Sequence, residues 1–124
     1  MSIGKIGAVV LDCPDPVALA RFYAELVGGT IEEVKDYGEG GWVDLKGSEG
    51  AALAFQAAPG FVPPSWPSGD RSQQIHLDVT VEDLDAAEAK VLALGATVLE
   101  AEDRKRSFRV YADPAGHPFC LCAC

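Results

Sequence analysis

The chain carries the same pattern twice, and a repeated unit of about fifty residues constrains the possible folds more than any single motif in it. Residues 6–13 (IGAVVLDC) and 74–81 (QIHLDVTV) both read as strands, and each runs at once into an amphipathic helix closed by glycine. In the first copy Asp15 precedes Val17, Leu19, Phe22, Tyr23 and Leu26, and the run ends at Gly28 and Gly29. In the second, Asp83 precedes Leu84, Ala87, Val91 and Leu94, and the run ends at Gly95. Each aspartate is placed to cap its helix, each apolar set recurs every three or four residues, and each glycine suits a left-handed C-cap. Pro16 in the first helical turn agrees with this start. Three short strands should follow each helix, at 30–36, 41–46 and 51–57 and then at 97–101, 105–111 and 117–123. The turns between them fall at 38–41, 47–50 and 113–116. The expected organisation is a single α+β domain over residues 1–124 with two βαβββ modules, 4–57 and 73–124.

Residues 58–72 join the modules and hold Pro59, Pro63, Pro64 and Pro67 around Trp66. A joint of this length in a compact chain is more often functional than idle, and stiff prolines would hold Phe61 and Trp66 either over a ligand or against the core edge.

Strand alternation assigns faces. Ile75, Leu77, Val79 and Val81 should pack on the helices, leaving Gln74, His76, Asp78 and Thr80 on the opposite face. By the same rule Val9, Leu11 and Cys13 point to the helices and Asp12 points away, while Phe119 and Leu121 face the helices and Cys120 and Cys122 do not. With the sheets curved into a cup and the helices outside, the second faces would line one trough holding Asp12, Trp42, Asp44, Gln56, His76, Asp78 and Cys120. Alternation about Phe108 and Val110 also sends Arg109 and Tyr111 to the trough, where Arg109 could clamp a carboxylate. Arg104, Lys105 and Arg106 read as a solvated hairpin turn.

Charge and rare residues narrow the chemistry. A net charge of −9, from 19 acidic and 10 basic side chains, disfavours nucleic acid and anionic membranes and favours a cationic or aromatic small molecule. The apolar N-terminal stretch is cut by Asp12, so neither a leader nor a membrane span is expected, and the expected location is cytoplasmic. Three of the four cysteines crowd residues 120–124. Alternate residues of a strand stand about 7 Å apart, too far for two short thiolates to share one zinc, so these cysteines read as packing residues. His76 and His117 are the only histidines, and His117 falls in the 113–117 turn.

The segments VVLDCPDPVALARFYAELVGG, PPSWPSGDRSQQIHLDV and YADPAGHPFCLC, in this order over nearly the whole chain, resemble the small single-domain glyoxalase-like proteins of the vicinal oxygen chelate (glyoxalase/bleomycin resistance/dioxygenase) superfamily. The resemblance implies the cup-shaped mixed sheet and a homodimer. Its metal-ligand positions fall on Ala8, on His76, on Ala54 (Gln56 with a register shift of two) and on Cys120. Only His76 matches, so a divalent metal could have no more than a weak site on His76, Gln56 and Cys120, and no other cofactor is expected. The resemblance therefore implies a small-molecule binding protein of the bleomycin-resistance type without the full metal site. Two alternatives stay open. One is a lyase or isomerase acting on a small oxygenated substrate through His76 as general base, with or without a weakly held metal. The other is an accessory protein with no ligand.

Overall fold

The computed structural model describes residues 2–34, 41–66, 71 and 74–123. Of the sequence expectations, residues 35–36 of the second strand, residues 38–40 of the following turn, Pro67 and Cys124 lie outside these residues.

The elements run in the order β1 (Val9–Cys13), α1 (Pro16–Val27), β2 (Thr30–Val34), β3 (Trp42–Lys46) and β4 (Leu53–Ala57), followed by β5 (Leu77–Thr80), α2 (Leu84–Ala93), β6 (Thr97–Glu100), β7 (Phe108–Ala112) and β8 (Pro118–Cys122). This is the expected βαβββ arrangement, twice. Each copy makes its own open four-stranded mixed sheet, ordered β1-β4-β3-β2 and β5-β8-β7-β6. In both, the first strand pairs in parallel with the last of its copy, and the other pairings are antiparallel. The helix after the first strand supplies the crossover that a parallel pairing needs. The chain divides into two compact units, Met1–Phe61 and Val62–Cys124, with the division inside the proline-rich joint. Among the described residues no helix is long and apolar enough to cross a membrane.

Both helices start as the sequence requires. The Asp15 carboxylate accepts from the Ala18 amide at 3.2 Å, and the Asp83 carboxylate accepts from the Ala86 amide at 3.1 Å. Each satisfies one orphan donor of the first turn. Gly28 closes α1 at a φ of 80°, its amide donating to the Ala24 carbonyl. Gly29 is required for a second reason: a Cβ there would lie 2.8 Å from the Lys46 carbonyl oxygen. The helices then dock differently. From α1, Leu19, Ala20, Phe22 and Tyr23 are buried, joined by Leu11, Val43, Leu45 and Phe55 of the sheet. Tyr23 stacks on Phe55 at 5.6 Å between ring centroids. Burying each such ring stabilises the unit by about 1.5–3 kcal/mol. In α2 only Val91 is buried, and the helix is fastened mainly through charged groups.

The first strand of the second copy is shorter than expected. It begins at Leu77, so Gln74, Ile75 and His76 precede it, and Ile75 is exposed rather than packed on a helix. No ladder partner holds these residues, which frees the His76 side chain to bend back along the sheet.

Candidate functional site

In the first unit, cross-strand register aligns residues on the face turned away from α1. Asp12 sits opposite Gln56, Gln56 opposite Trp42, and Asp44 opposite Ala54. This is the grouping of Asp12, Trp42, Asp44 and Gln56 that alternation predicts. The Trp42 indole N–H donates to the Asp44 carboxylate at 2.8 Å, and Lys46 approaches the other Asp44 oxygen at 3.7 Å. Asp44 therefore holds the indole in place. Phe61, at the end of this unit, is half-buried.

In the second unit the parallel pairing of β5 with β8 sets Asp78 opposite Cys120 and Thr80 opposite Cys122. His76 returns towards them, with its Nε2 3.2 Å from an Asp78 carboxylate oxygen. One donor atom each from His76, Asp78 and Cys120 lies within 4.8 Å of the others. His76 and Asp78 are exposed, whereas the Cys120 thiol is at the buried end of the group. Burial, then the Asp78 charge and Cys122, push the Cys120 thiol up to about 12, with Arg106 pulling the other way. Left to itself this thiol stays protonated at neutral pH, which removes it as a nucleophile. Beside this polar group Val110, Cys120 and Cys122 make a small apolar floor, and Trp66 and Leu99 pack on it.

Two residues expected on this face are not there. Arg109 pairs across the ladder with Leu121, and Tyr111 with Phe119, so both belong to the helix side. The Arg109 Nη2 donates to the Asp85 carboxylate at 2.9 Å, and its Nη1 lies 3.6 Å from Glu88, both residues of α2. The Tyr111 hydroxyl donates to Glu88 at 2.8 Å, and Arg104 completes the group at 3.0 Å from the same carboxylate. Burial raises Glu88, but Tyr111, Arg104 and Arg109 together outweigh it and hold the carboxyl below its ordinary range. Burial and then Glu88 push the Tyr111 phenol up to about 12. The placement corrects the expectation that Arg109 clamps a trough carboxylate: its guanidinium is buried under α2 and serves the helix.

The cation that does lie near Cys120 is Arg106, which sequence reasoning left in a solvated turn. Its guanidinium carbon sits 4.2 Å from the centroid of the Phe108 ring, and Nη2 is 3.5 Å from Glu100. Phe108 pairs with Cys122 and so shares its face. The signal was present in the sequence: placing Tyr111 level with Phe119 reverses the parity of β7 and brings Phe108 and Val110 to the site. His117 stays in its turn, where its amide and those of Ala115 and Gly116 donate to the buried Asp113 carboxylate.

The metal centre usual in this superfamily fits these residues poorly. The two positions implied in the first unit are occupied by Ala8 and Ala54, which offer no side-chain donor. The second unit supplies His76 and Cys120 at the other two, and Asp78, expected only to orient a ligand, adds the third donor of the described cluster.

A family model described as a glyoxalase-like domain matches residues 8–122. Among curated proteins nothing matches. Solved structures share the fold at low identity. A glyoxalase/bleomycin resistance protein/dioxygenase family enzyme from Burkholderia phytofirmans PsJN superposes with a TM-score of 0.66 at 20% identity, covering 95% of this chain and 97% of that one. The fosfomycin resistance protein FosX from Mesorhizobium loti gives 0.70 at 13% identity, over 99% and 94%. An E126Q variant of FosX from Listeria monocytogenes, solved with Mn(II) and 1S,2S-dihydroxypropylphosphonic acid, gives 0.70 at 16% identity, over 99% and 94%. With the repeat, the sheet order and a match that runs almost from end to end, the chain belongs to the glyoxalase-like domain family.

Proposed function

We propose that this protein binds a small molecule in the manner of the bleomycin-resistance branch of its superfamily, without the family's full metal centre. One surface supports this: the apolar floor of Val110, Cys120 and Cys122 with Trp66 and Leu99, bordered by His76 and Asp78. An apolar platform beside a few polar groups is what fixes a flat ligand with one or two hydrogen-bond donors. The net charge of −9 favours a cationic aromatic compound as that ligand. In the first unit, Trp42, braced by Asp44, offers a second stacking surface beside Asp12 and Gln56. A homodimer in the cytoplasm belongs to the same proposal, and sedimentation equilibrium tests the dimer.

Isothermal titration against a panel of cationic aromatics checks the binding. At least one compound should bind more tightly than about 1 mM, and Trp66→Ala should weaken it by about 3–10-fold, the worth of one stacking contact. Failure of every compound to bind below 1 mM refutes the proposal.

The contact between His76 and Asp78 favours a second reading, a lyase or isomerase in which the imidazole takes a proton from the substrate while the carboxylate orients it. Here His76→Gln should abolish turnover of an oxygenated substrate that the native protein converts. Retained turnover in that variant removes this reading.

A further inference from the structure

The second unit holds a donor set whose chemistry differs from the oxygen-rich centre that its superfamily implies. His76 offers an imidazole nitrogen, Asp78 a carboxylate oxygen and Cys120 a sulfur, all within 4.8 Å of one another. Two features of the fold bring them together. The parallel β5–β8 register sets Asp78 directly across from Cys120, and His76, just outside β5, reaches back to 3.2 Å from the Asp78 carboxylate. That spacing is close to the edge of a tetrahedron with metal bonds of about 2.0 Å, roughly 3.3 Å. The long imidazole closes a gap between alternate residues that two thiols could not.

Donor type then decides which ion such a set would choose. Magnesium and manganese prefer oxygen ligands in octahedral array, whereas thiolate and imidazole suit zinc-like ions. With Ala8 and Ala54 at the first unit's two implied positions, two of the side-chain donors a harder ion would draw on are missing. We propose that His76, Asp78 and Cys120 form a mononuclear site for a thiophilic divalent cation of the zinc and cadmium type, contained within the second unit and leaving a fourth position open. A neutral imidazole, a carboxylate and a thiolate balance a charge of two plus, and the thiol proton passes to solvent when the sulfur–metal bond forms. The graded exposure of the three groups gives the ion an approach past His76 and Asp78 to the buried sulfur. The site is independent of the small-molecule proposal, because its test uses the metal alone.

The test is titration of the full chain, freed of metal with a chelator and kept reduced, with Cd²⁺ and separately with Mn²⁺ and Mg²⁺. One equivalent of Cd²⁺ should produce thiolate-to-cadmium charge-transfer absorption, and Zn²⁺ should displace it. Cys120→Ser should remove the absorption, whereas Cys13→Ser and Cys122→Ser should retain it. His76→Gln and Asp78→Asn change exposed side chains that the fold does not need, and each should weaken Cd²⁺ binding at least about tenfold. Absorption that survives Cys120→Ser, affinities unmoved by both exposed-residue variants, or Mn²⁺ binding as tight as Cd²⁺ binding would each overturn the proposal.

Discussion

Replacing Arg109 by methionine should leave the protein almost as stable as before, although the guanidinium is only 4% exposed and sits among acidic groups. The expectation follows from what each contact becomes when the charge is removed. Asp85, the partner at 2.9 Å, is 83% exposed and regains water at once, so that bond is worth about 0–1 kcal/mol. Glu88 keeps Arg104 at 3.0 Å and the Tyr111 hydroxyl at 2.8 Å, so losing Arg109 at 3.6 Å costs about 1 kcal/mol. Against this, the Arg109 Nε and Nη1 are buried without a hydrogen-bond partner among the described residues, and each such donor costs about 1–3 kcal/mol in the native protein. Methionine fills the same slot and removes both donors. The net change should lie between about 1 kcal/mol of gain and 1.5 kcal/mol of loss. Arg109→Ala should instead cost about 2–4 kcal/mol, because it deletes the packed stem under α2 as well. Urea unfolding followed by circular dichroism separates the two variants through their midpoints at constant slope. A loss above about 3 kcal/mol in Arg109→Met would show that the charge network is worth more than its desolvation and refute the reasoning. Unchanged ligand and metal binding in the same variant would agree with a guanidinium committed to the helix side.

Removing a helix cap with Asp83→Ala should lower stability by about 1 kcal/mol in the same assay. Gly29→Ala should cost about 2 kcal/mol, since φ is +105° and the new methyl would meet the Lys46 carbonyl at 2.8 Å. The Tyr111 phenol is raised in the folded state, so its contribution is complete below about pH 10 and is lost as the pH rises towards 12; Tyr111→Phe should flatten that part of the alkaline stability curve. Glu88 is lowered, so its contribution holds above its ordinary range near pH 4.5 and fades as acid is added; Glu88→Gln should flatten the acid limb.

The sequence by itself determined the repeat, the helix starts at Asp15 and Asp83, and the faces of β1 and β5. These are local properties. A cap needs only a carboxylate within reach of the next amides, and a strand apolar on one side and polar on the other declares its inner face without a partner. Asp12, His76 and Asp78 were legible for that reason. The face of β7 was not, because Phe108, Val110 and Tyr111 put bulky groups on both sides and Arg109 looked like the polar one. Alternation states which residues lie together but not which side is inside. That choice came from register with β8, where Tyr111 meets Phe119 and Arg109 meets Leu121, and from the acidic face of α2, which could bury a guanidinium. The meeting of Cys120 with Asp78 is likewise tertiary, since 42 residues separate them and only the parallel pairing of β5 with β8 closes the distance.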